Sequence, residues 1–291
     1  MDANLDDALE VFQRVRRRLF GIAYRMLGSA AEAEDIVQET WLRWQGTDRQ
    51  AVHDPPAFLA TTTTRLAINA LQSARARRET YVGPWLPEPV DTSADPTLGA
   101  ERAEGLGFAV LTMLERLTPT ERAAYVLREA FAYPYSQIAD VIQTSEPAAR
   151  QLVSRARKHL AGERRREVSS EEQRRLLTAF VSAARTGDLD QLEQLFAEDV
   201  VSYSDGGGVV RASRIPVHGR TVVAKFVRAF HERFWDGVHV EEAEINGQPS
   251  VVLSREGTVF AVLTVVASIR GIDQVLWMMN PHKLGAVSRA A

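Results

Sequence analysis

At 291 residues, with 45% apolar and 25% charged residues, the chain has the composition of an ordinary globular protein long enough for two or more domains. The absence of cysteine excludes disulfides, thiolate metal sites and cysteine redox sensing, and the six histidines never fall at metal-ligand spacing. The net charge of −3 hides two basic islands. Residues 57–81 carry Arg65, Arg75, Arg77 and Arg78 against Glu79. Residues 145–166 carry Arg150, Arg155, Arg157, Lys158 and Arg164 to Arg166 against Glu146 and Glu163. Two such islands in a neutral chain point to a polyanion held at two places, with solvated helix faces as the simpler alternative. The opening "MDANLDDALE" has no apolar h-region, and no apolar run reaches membrane-spanning length, so a cytosolic protein with no membrane partner is expected.

In chain order, Leu5, Leu9, Phe12, Leu19, Ala23 and Leu27 space an amphipathic helix over 5–27, ended by Gly28. Ser29 with Glu32 forms a capping box for a helix over 30–45. Ala33, Val37, Thr40, Trp41 and Trp44 lie on one side of it, and Asp35, Gln38, Glu39 and Leu42 on another. Asp54-Pro55 starts a third helix through about Ser73. That helix contains Thr61 to Thr64, whose hydroxyls suit contacts to phosphates and bases beside Arg65 and Asn69, or bonds back to the helix's own carbonyls. Residues 82–105 read as a linker rich in Pro, Gly and Asp, although "WLPEP" (Trp85 to Pro89) is too apolar for a pure spacer and is expected to dock.

A helix over 106–117 is followed by Thr118-Pro119-Thr120-Glu121, a second capping box. Helices over 135–142 and 146–161, with a turn at 143–145 and Ser145 as N-cap, read as a helix-turn-helix whose shared core holds Ile138, Ala139, Ile142, Ala149, Leu152 and Val153. Its second helix is expected in a DNA major groove, with Arg150, Gln151 and Ser154 on base edges and Arg155, Arg157 and Lys158 on phosphates. After a charged joint at 163–169, helices near 171–185, 188–197 and 220–234 are interleaved with strands near 199–204, 238–245, 249–255, 258–269 and 272–279. This is the pattern of a separate α+β domain.

"AEAEDIVQETWLRW" with "FLATTTTRLAINALQSARARRETY", and "LTPTERAAYVLREAFAYPYSQIADVIQTSEPAARQLVSRARKHL", resemble the two modules of an extracytoplasmic-function sigma factor over roughly residues 8–165. The remainder resembles a SnoaL-like cone-shaped α+β domain, and that fusion together with "WLPEP" is similar to the SigJ-type subgroup. The resemblance implies a multidomain chain: region 2 over 1–81, the linker over 82–105, region 4 over 106–166 and a SnoaL-like regulatory domain over 170–291. It implies core RNA polymerase and promoter DNA as partners, no cofactor and no chemistry of its own. Asp35, Gln38, Glu39 and Leu42 would dock on polymerase. Thr62, Arg65, Asn69, Arg75, Arg77 and Arg78 would engage the −10 element, and the helix-turn-helix the −35 element. Trp85 and Leu86, Asp205 with Gly206, Gly207 and Gly208, and Asn280, Pro281 and Lys283 would form an interdomain contact. The subgroup's Gly-rich motif ends in Lys, where this chain has Val209, and its "NPDKL" stands here as "NPHKL" with His282, which puts any electrostatic part of that contact in question.

Two other readings compete. One is an ordinary helix-turn-helix regulator with a ligand-sensing domain, which has no need of the pattern in 30–81. The other is a SnoaL-like enzyme using Asp205 or His231 as general acid or base. A pocket for a small apolar ligand lined by Trp235, Phe226, Phe230, Trp277 and Met278 is set against those residues forming plain core, the simpler reading.

Overall fold

The computed structural model describes residues 3–93, 108–161 and 168–287. It falls into two compact units, the first built from residues 1–79 and 97–162 and the second from residues 80–96 and 163–291. The described helices of the first unit are α1 (Ala3–Leu27), α2 (Ala30–Gln45), α3 (Pro55–Glu79), α4 (Phe108–Leu114), α5 (Pro119–Glu129), α6 (Tyr135–Ile142) and α7 (Glu146–Ala161).

Local chemistry sets most of these boundaries. Gly28, at φ 67°, breaks α1 from α2, and Ser29 Oγ accepts the Glu32 N–H at 3.2 Å. Asp54 caps α3 through the Ala57 N–H at 3.0 Å. Thr118 and Glu121 cap α5 reciprocally, with Pro119 in the first turn. The Thr-rich helix runs on to Glu79 rather than ending near Ser73. Its hydroxyls are used internally: Thr62 and Thr64 bond back to the Phe58 and Ala60 carbonyls, and Thr63 meets Thr40 of α2 at 3.1 Å in a buried seam. Packing of Thr63 and Thr64, both fully buried, outweighs the modest helix propensity of β-branched residues. In the helix-turn-helix, Gln143 takes the left-handed conformation that lets α7 turn away from α6. Ala149, Val153, Ala156 and Leu160 of α7 are buried at helical spacing, while Leu152 is only partly covered.

The two helical stretches are not independent modules. Arg122 of α5 is buried, and its Nε donates to the Arg25 carbonyl at 2.8 Å. Arg78, at the end of α3, donates to the Leu27 carbonyl. Both guanidiniums converge on Glu115, Arg122 at 2.5 Å. Two cations therefore cap the carbonyl end of α1, where the helix dipole is negative, and a single carboxylate holds them together. Burial, the largest influence on Arg78, lowers its pKa from the ordinary guanidinium value, with Glu115 opposing. Breaking a buried pair by removing one partner costs roughly 3–5 kcal/mol. Arg122→Ala is therefore expected to lower first-unit stability by about that amount in urea unfolding. Arg14→Ala, which removes only an exposed pair with Glu10, should change it by less than about 1 kcal/mol.

The second unit contains α8 (Ser170–Thr186), α9 (Leu189–Leu195), β1 (Phe196–Asp205), β2 (Val217–His218), α10 (Arg220–Ala229), α11 (His231–Trp235), β3 (His239–Ile245), β4 (Gln248–Arg255), β5 (Thr258–Ser268) and β6 (Gly271–Met278). The sheet order is β2-β1-β6-β5-β4-β3, antiparallel throughout except for the parallel β1–β6 pair. One sheet face, with Val251, Leu253, Leu263, Val265, Val275 and Trp277, packs on Leu176, Leu177, Phe180 and Ala184 of α8. Two details differ from the sequence expectation. The helix over 220–234 is interrupted at Phe230, whose backbone leaves helical geometry at φ −110°, ψ 1°, and the two-residue β2 is too short to leave a periodic signal.

Candidate nucleic-acid interface and the strap at Asp205

On α2, Ala33, Val37, Thr40 and Trp44 are buried. Trp41 is partly covered against Phe12, with ring centroids 5.0 Å apart. Asp35, Gln38 and Leu42 face solvent, Leu42 at 60% exposure, and Glu39 pairs with Arg43 at 2.8 Å. An exposed leucine among acidic and amide side chains is suited to a partner surface that mixes apolar and basic groups.

Among the described residues, those expected on the −10 element are not presented as a group. Asn69 is exposed. Thr62 is partly covered and bonded to the Phe58 carbonyl. Arg65 donates from Nε to the Val141 carbonyl and from Nη2 to the Asp140 carbonyl, both at 2.9 Å, so it sits on the C-terminal end of α6, where free carbonyls attract a cation. Arg78 is a correction: it is committed to the cap of α1 and to Glu115, and its side chain is largely buried. The side chains of Arg75 and Arg77 lie outside the described residues, as do Arg164 to Arg166.

Arg150, Gln151, Ser154, Arg155, Arg157 and Lys158 of α7 are all exposed, Gln151, Ser154, Arg155 and Lys158 opposite the buried seam and Arg150 and Arg157 on its flank. Arg150 pairs with Glu146 at 2.5 Å and lies over the Tyr135 ring at 4.5 Å, and Arg157 pairs with Glu129 at 2.7 Å. Hydrogen bonding to Glu129, more than its field, raises the Arg157 pKa. Sequence reasoning missed Arg128, whose Nη1 donates to the Tyr133 carbonyl at 2.9 Å and whose guanidinium lies over the same Tyr135 ring at 4.6 Å. An aromatic at the start of α6 with an Arg on each neighbouring helix was the available signal.

The expected linker is, over its described part, a strap built into the second unit. Its anchor is Asp205, fully buried at the end of β1. One carboxylate oxygen accepts the Leu86 N–H at 2.8 Å and the Lys283 ammonium at 2.7 Å, and the other accepts the Tyr81 hydroxyl at 2.5 Å. Lys283, whose side chain is 12% exposed, also donates to the Leu86 carbonyl at 2.6 Å and lies over the Trp85 ring at 4.2 Å. Asn280 Nδ2 donates to the Tyr81 hydroxyl at 2.8 Å. Burial foremost, then the bond to Asp205, raises the Tyr81 pKa above the usual phenol value. Leu86 is fully buried and Trp85 partly so.

Beyond Pro89 the strap pairs with the β3–β4 hairpin. Val90 and Asn246 exchange two bonds of 2.8 Å, Thr92 N donates to the Glu244 carbonyl at 2.8 Å, and Asp91 forms a bridge with Ile245. The glycines after Asp205 serve close approach. A Cβ on Gly207, at φ 61°, would overlap the Asn280 amide, and one on Gly208 would stand 3.1 Å from Val82. Pro281 opens the short 3-10 turn that places Lys283.

The inner sheet face carries a cluster of rings. Phe180, Phe234, Trp235, Phe260 and Trp277 form a chain of contacts with centroids 5.2–6.4 Å apart. Phe230 is half exposed and packs on Phe226 at the surface, while Met278 alternates onto the opposite sheet face, so the five residues expected to line a pocket do not share one. Asp205 is engaged by Lys283, and His231 Nδ1 lies 2.8 Å from the Arg228 carbonyl. The two residues weighed as acid–base groups thus have separate structural partners. Among the described residues no helix is long and apolar enough to cross a membrane, and no group of three or more His, Asp or Glu could hold a metal ion.

Comparison with known proteins decides the family. Residues 11–77 match the model for Sigma-70 region 2, residues 107–160 that for Sigma-70 region 4, and residues 177–276 that for the SnoaL-like domain. The extracytoplasmic-function RNA polymerase sigma factor SigJ of Mycobacterium tuberculosis is 40% identical over 232 residues, covering 78% of this chain and 74% of that protein. The chain belongs to the extracytoplasmic-function sigma factor family. A probable sigma factor of the same family, SigI of M. tuberculosis, is 31% identical over 278 residues, 92% of each chain. The crystal structure of M. tuberculosis SigJ aligns at a TM-score of 0.77 and 32% identity over 96% of this chain and 98% of that one. In this sigma factor the strap at 80–93 and the Asn280–Lys283 turn both fall outside the matched family spans.

Lys283→Ala should release the strap while leaving its sequence intact. Loss of one partner from a buried pair costs roughly 3–5 kcal/mol. Chymotryptic cleavage next to Trp85 and Leu86, which requires the strap to open, is therefore expected to quicken by well over about tenfold with helix content retained. Equal cleavage rates in wild type and variant would mean that Lys283 does not hold the strap.

Proposed function

We propose that the chain binds core RNA polymerase through the exposed strip of α2 and directs promoter-specific transcription initiation, with α3 at the −10 element and α7 at the −35 element. The observation that carries this reading is α7, where six exposed polar and basic residues stand over a buried Ala149–Val153–Ala156–Leu160 seam within a helix-turn-helix. The family match over 11–77 adds what an ordinary helix-turn-helix regulator lacks. Arg65 spends its Nε–H and an Nη2–H on the Val141 and Asp140 carbonyls, which leaves its Nη1 donors to engage the −10 element. The SnoaL-like domain acts as a regulator through the strap rather than as an enzyme, since its buried carboxylate, Asp205, is paired to Lys283. A cytoplasmic location follows from polymerase as the partner.

Run-off transcription with purified core polymerase tests this reading: promoter-specific transcripts should require both proteins. In the same assay Arg150→Ala should relax preference at one or two −35 positions, at a cost of about 1–3 kcal/mol. Lys158→Ala should weaken all promoters alike and flatten the salt dependence. Identical behaviour of the two variants would contradict the assignment of α7.

A further inference from the structure

Tyr135 is the first residue of α6, and neither helix capping nor core packing accounts for it. The buried residues of that helix are Ile138, Ala139 and Val141, and the N-cap, Pro134, makes no side-chain cap. What the ring does have is two cations, Arg150 at 4.5 Å and Arg128 at 4.6 Å from its centroid. Arg128 is fixed from behind by the Tyr133 carbonyl. Arg150 is 59% exposed, and apart from the ring its contact is the bond from Nη2 to Glu146 one helical turn earlier.

A long exposed arginine normally loses rotamer freedom when it docks on a base. A guanidinium lying over a ring is constrained through its face, while its N–H donors point outward in its own plane. That is the geometry needed for two parallel bonds to the O6 and N7 edge of a guanine. Glu146 takes part of that donor edge through its bond from Nη2.

Building on the assignment of α7 to the −35 element, we propose that Tyr135 is a positioning residue for promoter readout, its ring holding Arg150 in the orientation from which it reads a base. The effect is selective: without the ring, discrimination at the position read by Arg150 falls, whereas general DNA affinity and fold do not.

The test is a double-mutant cycle in the full-length protein with core polymerase. It measures the ratio of initiation on a preferred promoter to initiation on promoters with single −35 substitutions. Tyr135→Phe, which keeps the ring, should retain the ratio within about twofold. Tyr135→Leu, which keeps apolar bulk without a π face, should lower it by about 3–10-fold at one position, the scale of an exposed to partly desolvated cation–π contact. In an Arg150→Ala background Tyr135→Leu should add nothing. If Arg150→Ala itself leaves the ratio unchanged, the assignment of α7 fails. If Arg150→Ala flattens the ratio but Tyr135→Leu does not, that assignment stands and the positioning role is overturned. A Tyr135→Leu loss shared equally by all promoters, or accompanied by a matching fall in melting temperature, also overturns it.

Discussion

A carboxylate taken entirely out of water is tolerated only with a cation and enough donors around it, and Asp205 is such a group. Its partners reach the end of β1 from two distant parts of the chain: Tyr81 and Leu86 between the helical stretches, and Lys283 near the end. Each of those segments would have to separate from the others for Asp205 to be hydrated. Losing any one of these donors would leave the carboxylate buried and under-satisfied, so Asp205 ties the segment around Trp85 and Leu86 to the second unit in addition to its apolar contacts, and the backbone pairing of Val90 and Thr92 with the β3–β4 hairpin extends the hold.

That arrangement alters what the domains are. The chain leaves the first unit after Glu79, belongs to the second over the described residues 80–93, and is in the first again at α4. The second unit thus includes the described part of the connection between the two sigma regions, residues 80–93, which is held at the Asp205 cluster. A covalently fused domain stands at a high effective concentration relative to its neighbour, set by the chain itself. Within the first unit a second ionic cluster has a comparable place: Glu115 holds Arg78 and Arg122 on the carbonyl end of α1, and Arg65 closes on α6.

Much of this was legible in the sequence where the signal is local. Capping residues at Ser29, Asp54, Thr118 and Ser145 marked helix starts to within a residue or two, and the spacing of Ile138, Ala149 and Val153 marked the helix-turn-helix. Trp85 and Leu86 were visible as too apolar for a spacer. Pairings between residues far apart in the chain leave no such trace. Nothing near Arg78 announces that it caps α1, and nothing near Arg65 points to the Val141 carbonyl 76 residues away. Read by composition, both were free basic residues. The departures at Val209 and His282 concern exposed side chains, whereas the electrostatic part of the contact is supplied by Lys283 and Asp205, which this chain retains. The aromatic residues of the SnoaL-like domain could be counted in advance, but only the strand register shows Trp277 facing the helices and Met278 facing away.

The central claim is that the segment between the two sigma regions is part of the folded second unit. Amide hydrogen exchange of the full-length protein tests it most directly, read at Leu86, Thr92 and Asn246, whose N–H groups donate to Asp205, Glu244 and Val90. The account predicts that these amides exchange slowly and in step with the β1 and β6 amides, through opening of the whole unit. Exchange at Leu86 and Thr92 at the rate of an unprotected loop, with β1 and β6 still protected, would contradict it.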